Sequence, residues 1–216
     1  VVKPAFLPRT WACVLCAGRS ARTAPANKLL APDATGQPML VQTLKNILNS
    51  KAETILALLP PDQPELETIV QAHFSHSLKA DRLQLQTVLN ARLGLSASLH
   101  AGVQAAQAGN AQSLLMCLGD MPLVSTTLLN TLLENQNQYA PAATAPLRDG
   151  KAGNPVVWNP SQFSKLLQVT GDQGGRAVLR SLGADIRLIP ANSTELVDFD
   201  TPERLKIYQQ MAFPGS

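Results

Sequence analysis

The stretch WACVLCAGRSARTAPANKLL, residues 11–30, decides how the chain is read. Its first seven residues form a buried-strand run that breaks at Gly18 into a short polar loop carrying Arg19, Ser20, Arg22 and, beyond Asn27, Lys28. Cations and small residues thus collect where a strand ends. Backbone N–H groups of a loop with little side-chain bulk can converge on phosphate oxygens, and Arg and Lys add positive charge where the anion would sit. The spacing is not that of GxxxxGK[ST], because Gly18 and Lys28 are too far apart and no Ser or Thr follows the lysine. Nor is it the GxGxxG of a dinucleotide loop.

Outward from this stretch, strand and helix patterns alternate. After the turn signal Gly36-Gln37-Pro38, residues 39–48 place Leu40, Leu44, Ile47 and Leu48 at helical spacing. Residues 54–59 are a continuous apolar run ended by Pro60 and Pro61, as an interior parallel strand requires, and 65–74 reads as the next helix. A strand over 83–89, an Ala-rich helix through Ala108, a strand over 113–118 and a helix over 125–136 continue the pattern. Residues 142–158 predict a hairpin turning at 148–151, followed by a helix over 160–167 and a strand over 185–189. Thr201 and Pro202 open a last helix as cap and first residue. Residues 1–9, with Pro4 and Pro8, are expected to lie outside the sheet. The reading is an α/β fold.

With 216 residues the chain supplies one full core, and a single domain over 1–216, with its core at about 10–212, is expected. Hydrophobic residues make up 45% but aromatics only 4%, so Leu, Val and Ala must fill the interior. The net charge of +3 is small and the Lys and Arg residues are scattered without a basic run, which argues against a nucleic-acid partner. No apolar stretch approaches the roughly twenty residues that span a bilayer. The three cysteines make no disulfide framework. Cys13 and Cys16, three apart in a strand, point to opposite faces and cannot chelate one metal, so with Cys117 they are expected to be small buried hydrophobes. A soluble protein in a reducing, cytoplasmic setting is expected.

Two further segments carry candidate chemistry. Gly94 permits a tight approach and Ser96 is a candidate N-cap, with Ser98 following, so the helix there would present N–H groups and hydroxyls above the sheet. Spacing alone also fits an ordinary capped helix. Strand 113–118 ends in Gly119-Asp120-Met121-Pro122, a carboxylate at the C-terminal end of a buried strand, where open α/β sheets bind ligands. Asp120 supplies a hard oxygen suited to Mg²⁺.

Leu15-Cys16-Ala17-Gly18-Arg19-Ser20-Ala21-Arg22, followed by Lys28-Leu29-Leu30, resembles the opening L-A-[AG]-G-x-S-x-R-[MF]-G and K-L-L of the MobA-like nucleotidyltransferases, the cytidylyl- and guanylyltransferases of molybdenum cofactor. Thr23, Ala24 and Pro25 depart from that pattern. Gly94 to Leu99, Gly119 to Val124 (GDMPLV), Gly153-Asn154-Pro155-Val156, Gly171-Asp172-Gln173-Gly174-Gly175-Arg176 and Asp198-Phe199-Asp200-Thr201-Pro202-Glu203 are similar to later family segments in family order, with Arg204 replacing a final acid. The resemblance implies a three-layer Rossmann-like fold with a mostly parallel, mixed central sheet and helices on both faces. It implies that Ala17, Gly18, Arg19, Ser20, Arg22, Lys28, Gly94, Ser96, Ser98 and Gly119 hold the nucleotide, and that Asn154 and Arg176 bind the acceptor. Lys28, Arg22 and Asp120 would be catalytic, with Mg²⁺ on Asp120 and on Asp198 or Asp200. Ala17 before Gly18 is the pattern of the cytidylyl branch, implying CTP rather than GTP, with molybdopterin as acceptor and a molybdenum hydroxylase as a possible client. A sugar-phosphate nucleotidyltransferase and a non-catalytic cofactor-binding accessory protein are the alternatives.

Overall fold

The computed structural model describes residues 7–17, 27–91 and 94–213. The expected nucleotide-binding positions Gly18, Arg19, Ser20 and Arg22, and the departure at Thr23, Ala24 and Pro25, lie outside the described residues. The first strand, β1 (Leu7–Leu15), sits between β2 (Ala52–Leu59) and β4 (Ser113–Leu118), parallel to both, and β2 carries β3 (Leu83–Thr87) on its far side. Beyond β4 come the antiparallel β7 (Val156–Trp158), then β5 (Ala143–Arg148), with the short β6 (Lys151–Ala152) against its end. The eighth strand, β8 (Ile186–Pro190), runs parallel to β5. The sheet is therefore mixed, with a parallel centre.

Period-two alternation explains how β1 serves two cores at once. Ala12, Val14 and Cys16 pack with α1 (Met39–Leu48), α2 (Pro64–Lys79) and α4 (Thr126–Tyr139) on one face. Cys13, Leu15 and Ala17 pack with α3 (Leu95–Ala108), α5 (Phe163–Leu166) and α6 (Arg176–Ser181) on the other. Helices thus cover both faces, and Cys13 and Cys16 do point apart. A third, smaller cluster seats Phe199 and Tyr208, the latter from α7 (Pro202–Gln209), against Ala31 and Met39 at the start of α1. Among the described residues no helix is long and apolar enough to cross a membrane.

Several boundaries differ from expectation, among them three at the start of the sheet and along α2 and α3. The first strand begins at Leu7, not Trp11, because Leu7 N–H bonds Lys51 O at 2.9 Å across an irregularity. There Arg9 takes φ 55° and its N–H turns to the Glu53 carboxylate at 2.6 Å. Helix α2 runs on to Lys79 past a kink at Phe74, where the sequence turns polar and hides its period. The helix expected to be capped by Ser96 starts at Leu95, with Gly94 as its N-cap residue.

The connections fix where a ligand can sit. The chain leaves β1 through α1 to β2 on one side, and returns from β3 through α3 to β4 on the other. The carboxyl ends of β1 and β4 therefore flank a topological switch point.

Candidate active site

Lys28 follows β1 on a single 3-10 turn, Lys28–Leu30, whose geometry is set locally. The Asn27 side chain accepts from Leu29 N–H at 3.0 Å and donates to Gln63 at 2.8 Å, while Leu29 is buried beneath. The ammonium is thereby aimed across the switch point. Asp120 stands two residues past β4, and two α1 side chains brace its loop. Thr43 donates to Gly119 O at 3.0 Å, and Asn46 donates to Pro122 O and Val124 O at 2.9 and 3.0 Å. Gly119 N–H bonds Leu15 O at 3.1 Å, so the glycine staples β4 to β1, and a Cβ there would sit 3.3 Å from Cys16 Sγ.

Lys28 Nζ forms ion pairs with both Asp120 and Asp200. The side chains of Lys28 and Asp120 are 12% and 11% exposed, and that of Asp200 37%, so the pair with Asp120 is screened far less by water than the other. Burial pulls the ammonium's pKa down, but the attraction of and hydrogen bonds to Asp120 and Asp200 outweigh it and the net shift is upward. Burial pushes the Asp120 carboxyl above its ordinary range against the opposing pull of Lys28, and the nearby Asp200 charge adds to the rise. Asp120 thus holds its negative charge at a cost that a cation must offset.

The structure distinguishes the two late aspartates, which the sequence left level. Residues 198–200 form no strand, and the two carboxylates take different partners. Asp198 pairs with Arg204 of α7, which also donates to the Asp198 carbonyl at 3.2 Å. Phe199, 1% exposed, anchors the segment between them, and Asp200 falls beside Lys28.

Other expected residues lie around this centre. Ala17 is buried on the α3 side of the sheet. Gly94 begins α3 with φ +103° and no side-chain cap of its own, and Leu95 N–H instead bonds Asp172 Oδ1 at 3.2 Å. Ser96 and Ser98 are buried. Ser98 lies one turn before Gly102, which abuts Cys13 of β1, and its hydroxyl finds no hydrogen-bond partner among the described residues. Asn154 is half-buried just before Pro155, whose ring shares a small apolar cavity with Leu118 and Met121 of the Asp120 loop. Arg176 is the exposed first residue of α6.

Thr43, Asn46 and the anchors Phe199 and Tyr208 were not singled out by the sequence reading. Thr43, polar beside the apolar positions Leu40, Leu44 and Ile47 of helix 39–48, was the available signal for the first, and Asn46 carried none that set it apart from Gln42 and Lys45. The cysteines are free and buried, and burial pushes the Cys13 thiol up to about 12 and those of Cys16 and Cys117 higher still. They are protonated and contribute packing, not thiolate ligands. No cluster of three or more metal-ligating side chains occurs among the described residues. The donor set here is two carboxylates.

A doubly covered sheet with an acidic strand tip and a lysine meeting at its switch point defines a nucleotidyltransferase-type protein. The sequence matches the MobA-like NTP transferase domain over residues 12–186, and the chain belongs to that family. It is 30% identical over 192 residues to the purine catabolism protein PucB of Bacillus subtilis (strain 168), covering 88% of this chain and 90% of that protein. A nucleotidyl transferase from Methanothermobacter shares the fold with TM-score 0.74 and 23% identity, covering 92% of this chain and 95% of that one. Rv0371c of Mycobacterium tuberculosis H37Rv does so with TM-score 0.72 and 21% identity, covering 93% and 96%. Its complex with manganese matches with TM-score 0.65 and 16% identity, covering 93% and 97%.

Proposed function

We propose that this chain, as a single cytoplasmic nucleotidyltransferase domain, transfers CMP from CTP to the terminal phosphate of molybdopterin or its molybdenum-bearing form, releasing pyrophosphate. The observation that carries the reading is the meeting of Lys28, Asp120 and Asp200 at the switch point. Two carboxylates converging on one cationic atom form a position that also fits a divalent ion, which takes hard oxygen ligands and completes its shell with water and substrate phosphate. Mg²⁺ held by Asp120 and Asp200 would neutralise phosphate charge. The manganese complex of Rv0371c supports divalent-metal binding by this fold.

The chain's own residues then have separable roles. Lys28, released from the carboxylates, swings on its four-carbon stem toward the α-phosphate and the leaving group and offsets charge developing there. Arg22 and the amides of residues 17–20 hold the triphosphate, and the first turn of α3 receives the base. Asn154 and Arg176 orient the acceptor. The attacking phosphate is already anionic, so positioning and charge neutralisation suffice without a general base. The Ala17 methyl, buried on the α3 side, crowds a purine more than a pyrimidine and favours CTP over GTP.

A second reading is a non-catalytic cofactor-binding accessory protein for a molybdenum hydroxylase. The similarity to a protein named for purine catabolism favours it, since hydroxylating a purine ring is chemistry that such a cofactor supports. Incubation with CTP or GTP, Mg²⁺ and molybdopterin or a sugar phosphate, followed by pyrophosphate measurement and mass analysis of the product, decides. Pyrophosphate with a cytidine dinucleotide of the cofactor supports the first reading. Cofactor binding without pyrophosphate supports the second.

A further inference from the structure

The Gly171-Asp172-Gln173-Gly174-Gly175-Arg176 segment is wedged into the fold at three points. Asp172 Oδ1 accepts from Leu95 N–H at 3.2 Å, across 77 residues of chain. A Cβ on Gly94 would fall 2.4 Å from that same oxygen and 3.0 Å from the Gly171 carbonyl, so the helix start and the loop touch at backbone distance. Gly174 takes φ +53°, and a Cβ there would sit 2.8 Å from Leu95 Cδ2. One residue on, a Cβ at Gly175 would lie 2.8 Å from the Trp158 ring of β7.

A helix that needed only local capping would carry Ser, Thr, Asp or Asn at its N-cap, where a side-chain oxygen satisfies a free amide. Here φ +103° at Gly94 demands glycine, which has no such oxygen. The oxygen comes from the distant loop instead. It brings a negative charge to the positive end of α3. Four residues beyond Asp172 the same loop delivers Arg176.

We propose that Asp172 is a positioning residue for substrate binding: its carboxylate holds the first turn of α3, with Gly94, Ser96 and Ser98, in fixed register with the loop that carries Arg176. This rests on the reading that α3 faces the nucleotide and Arg176 the acceptor. One hydrogen bond thereby ties the two substrate half-sites together.

Asp172→Ala and Asp172→Asn in the full chain test it. Amide hydrogen exchange at Leu95, measured without ligand, reports the cap, and calorimetric titration with Mg·CTP reports the site independently of turnover. Asp172→Ala is expected to accelerate exchange at Leu95 and weaken Mg·CTP about tenfold, in line with the loss of one cap interaction. Asp172→Asn, which keeps the accepting oxygen, is expected to restore most of the affinity. In turnover, KM rises for both substrates while kcat changes less than about threefold. Faster exchange at Leu95 with unchanged Mg·CTP affinity would reduce the contact to ordinary structure and overturn the proposal, as would unchanged exchange. Wild-type protein that binds neither Mg·CTP nor Mg·GTP would remove the functional reading itself and this inference with it, a result distinct from a defect confined to the Asp172 variants.

Discussion

Replacing Lys28 with methionine keeps the length and apolar stem of the side chain and deletes a charge that Asp120 and Asp200 share. If that ammonium stands where a divalent cation binds, removing it should strengthen metal binding even as it abolishes transfer. A unit charge about 4 Å from a divalent ion at an effective dielectric near 20 repels it by roughly 8 kcal/mol, an upper bound of about 10⁶ in affinity. Lysine can swing aside, so the expected gain in Mn²⁺ affinity, read by electron paramagnetic resonance of free Mn²⁺, is about 10- to 100-fold. Transfer should fall by about 10²–10³. Stability gives a second signature. Leaving the buried Asp120 without its cation costs on the order of 3 kcal/mol at neutral pH, whereas the half-exposed Asp200 adds little. The Asp120 carboxyl, already raised, rises further, so the folded variant takes up a proton before the unfolded chain does and its stability recovers as pH falls. The wild-type ion pair behaves oppositely at high pH. Its contribution is complete below the free-lysine value of about 10.4 and fades as pH rises through the upward-shifted value. Mn²⁺ affinity that is unchanged or weaker in Lys28→Met would refute the reasoning.

The late aspartates should separate. Asp200→Asn is expected to weaken Mn²⁺ and lower turnover by at least about 100-fold, whereas Asp198→Asn, which only frees Arg204, stays within a few-fold of wild type. Equal losses in both would return the choice between them to open. Phe199→Ala empties a fully buried site packed edge-on to Tyr208 at 5.2 Å and should cost about 3–5 kcal/mol in thermal unfolding. Because Phe199 holds Asp200 in place, Mn²⁺ affinity should fall as well. A lower melting temperature with full affinity would show that Asp200 does not depend on this anchor.

Much of this site was legible because its parts are short and local. A strand run breaking into a basic loop, and an aspartate closing another strand, placed Lys28 and Asp120 at the ends of β1 and β4 before any coordinates. The alternation of Ala12 to Ala17 gave both faces of the sheet. What escaped depends on partners far along the chain. Ser96 is a sound local cap candidate, but the φ of Gly94 and an oxygen from Asp172 override it. Asp198 and Asp200 differ through Arg204, Lys28 and the burial of Phe199, which no period in the sequence encodes. Thr43 and Asn46 share their helix with the polar Gln42 and Lys45, and their targets are backbone carbonyls more than seventy residues away.

The most direct test is equilibrium binding of CTP to the wild-type protein and to Asp120→Asn, each with Mg²⁺ and with chelator. Wild-type protein should bind CTP at least about tenfold tighter with Mg²⁺ than without, and Asp120→Asn should lose that difference while still unfolding cooperatively. CTP affinity indifferent to both the metal and Asp120 would contradict a metal–triphosphate site at the junction of β1 and β4.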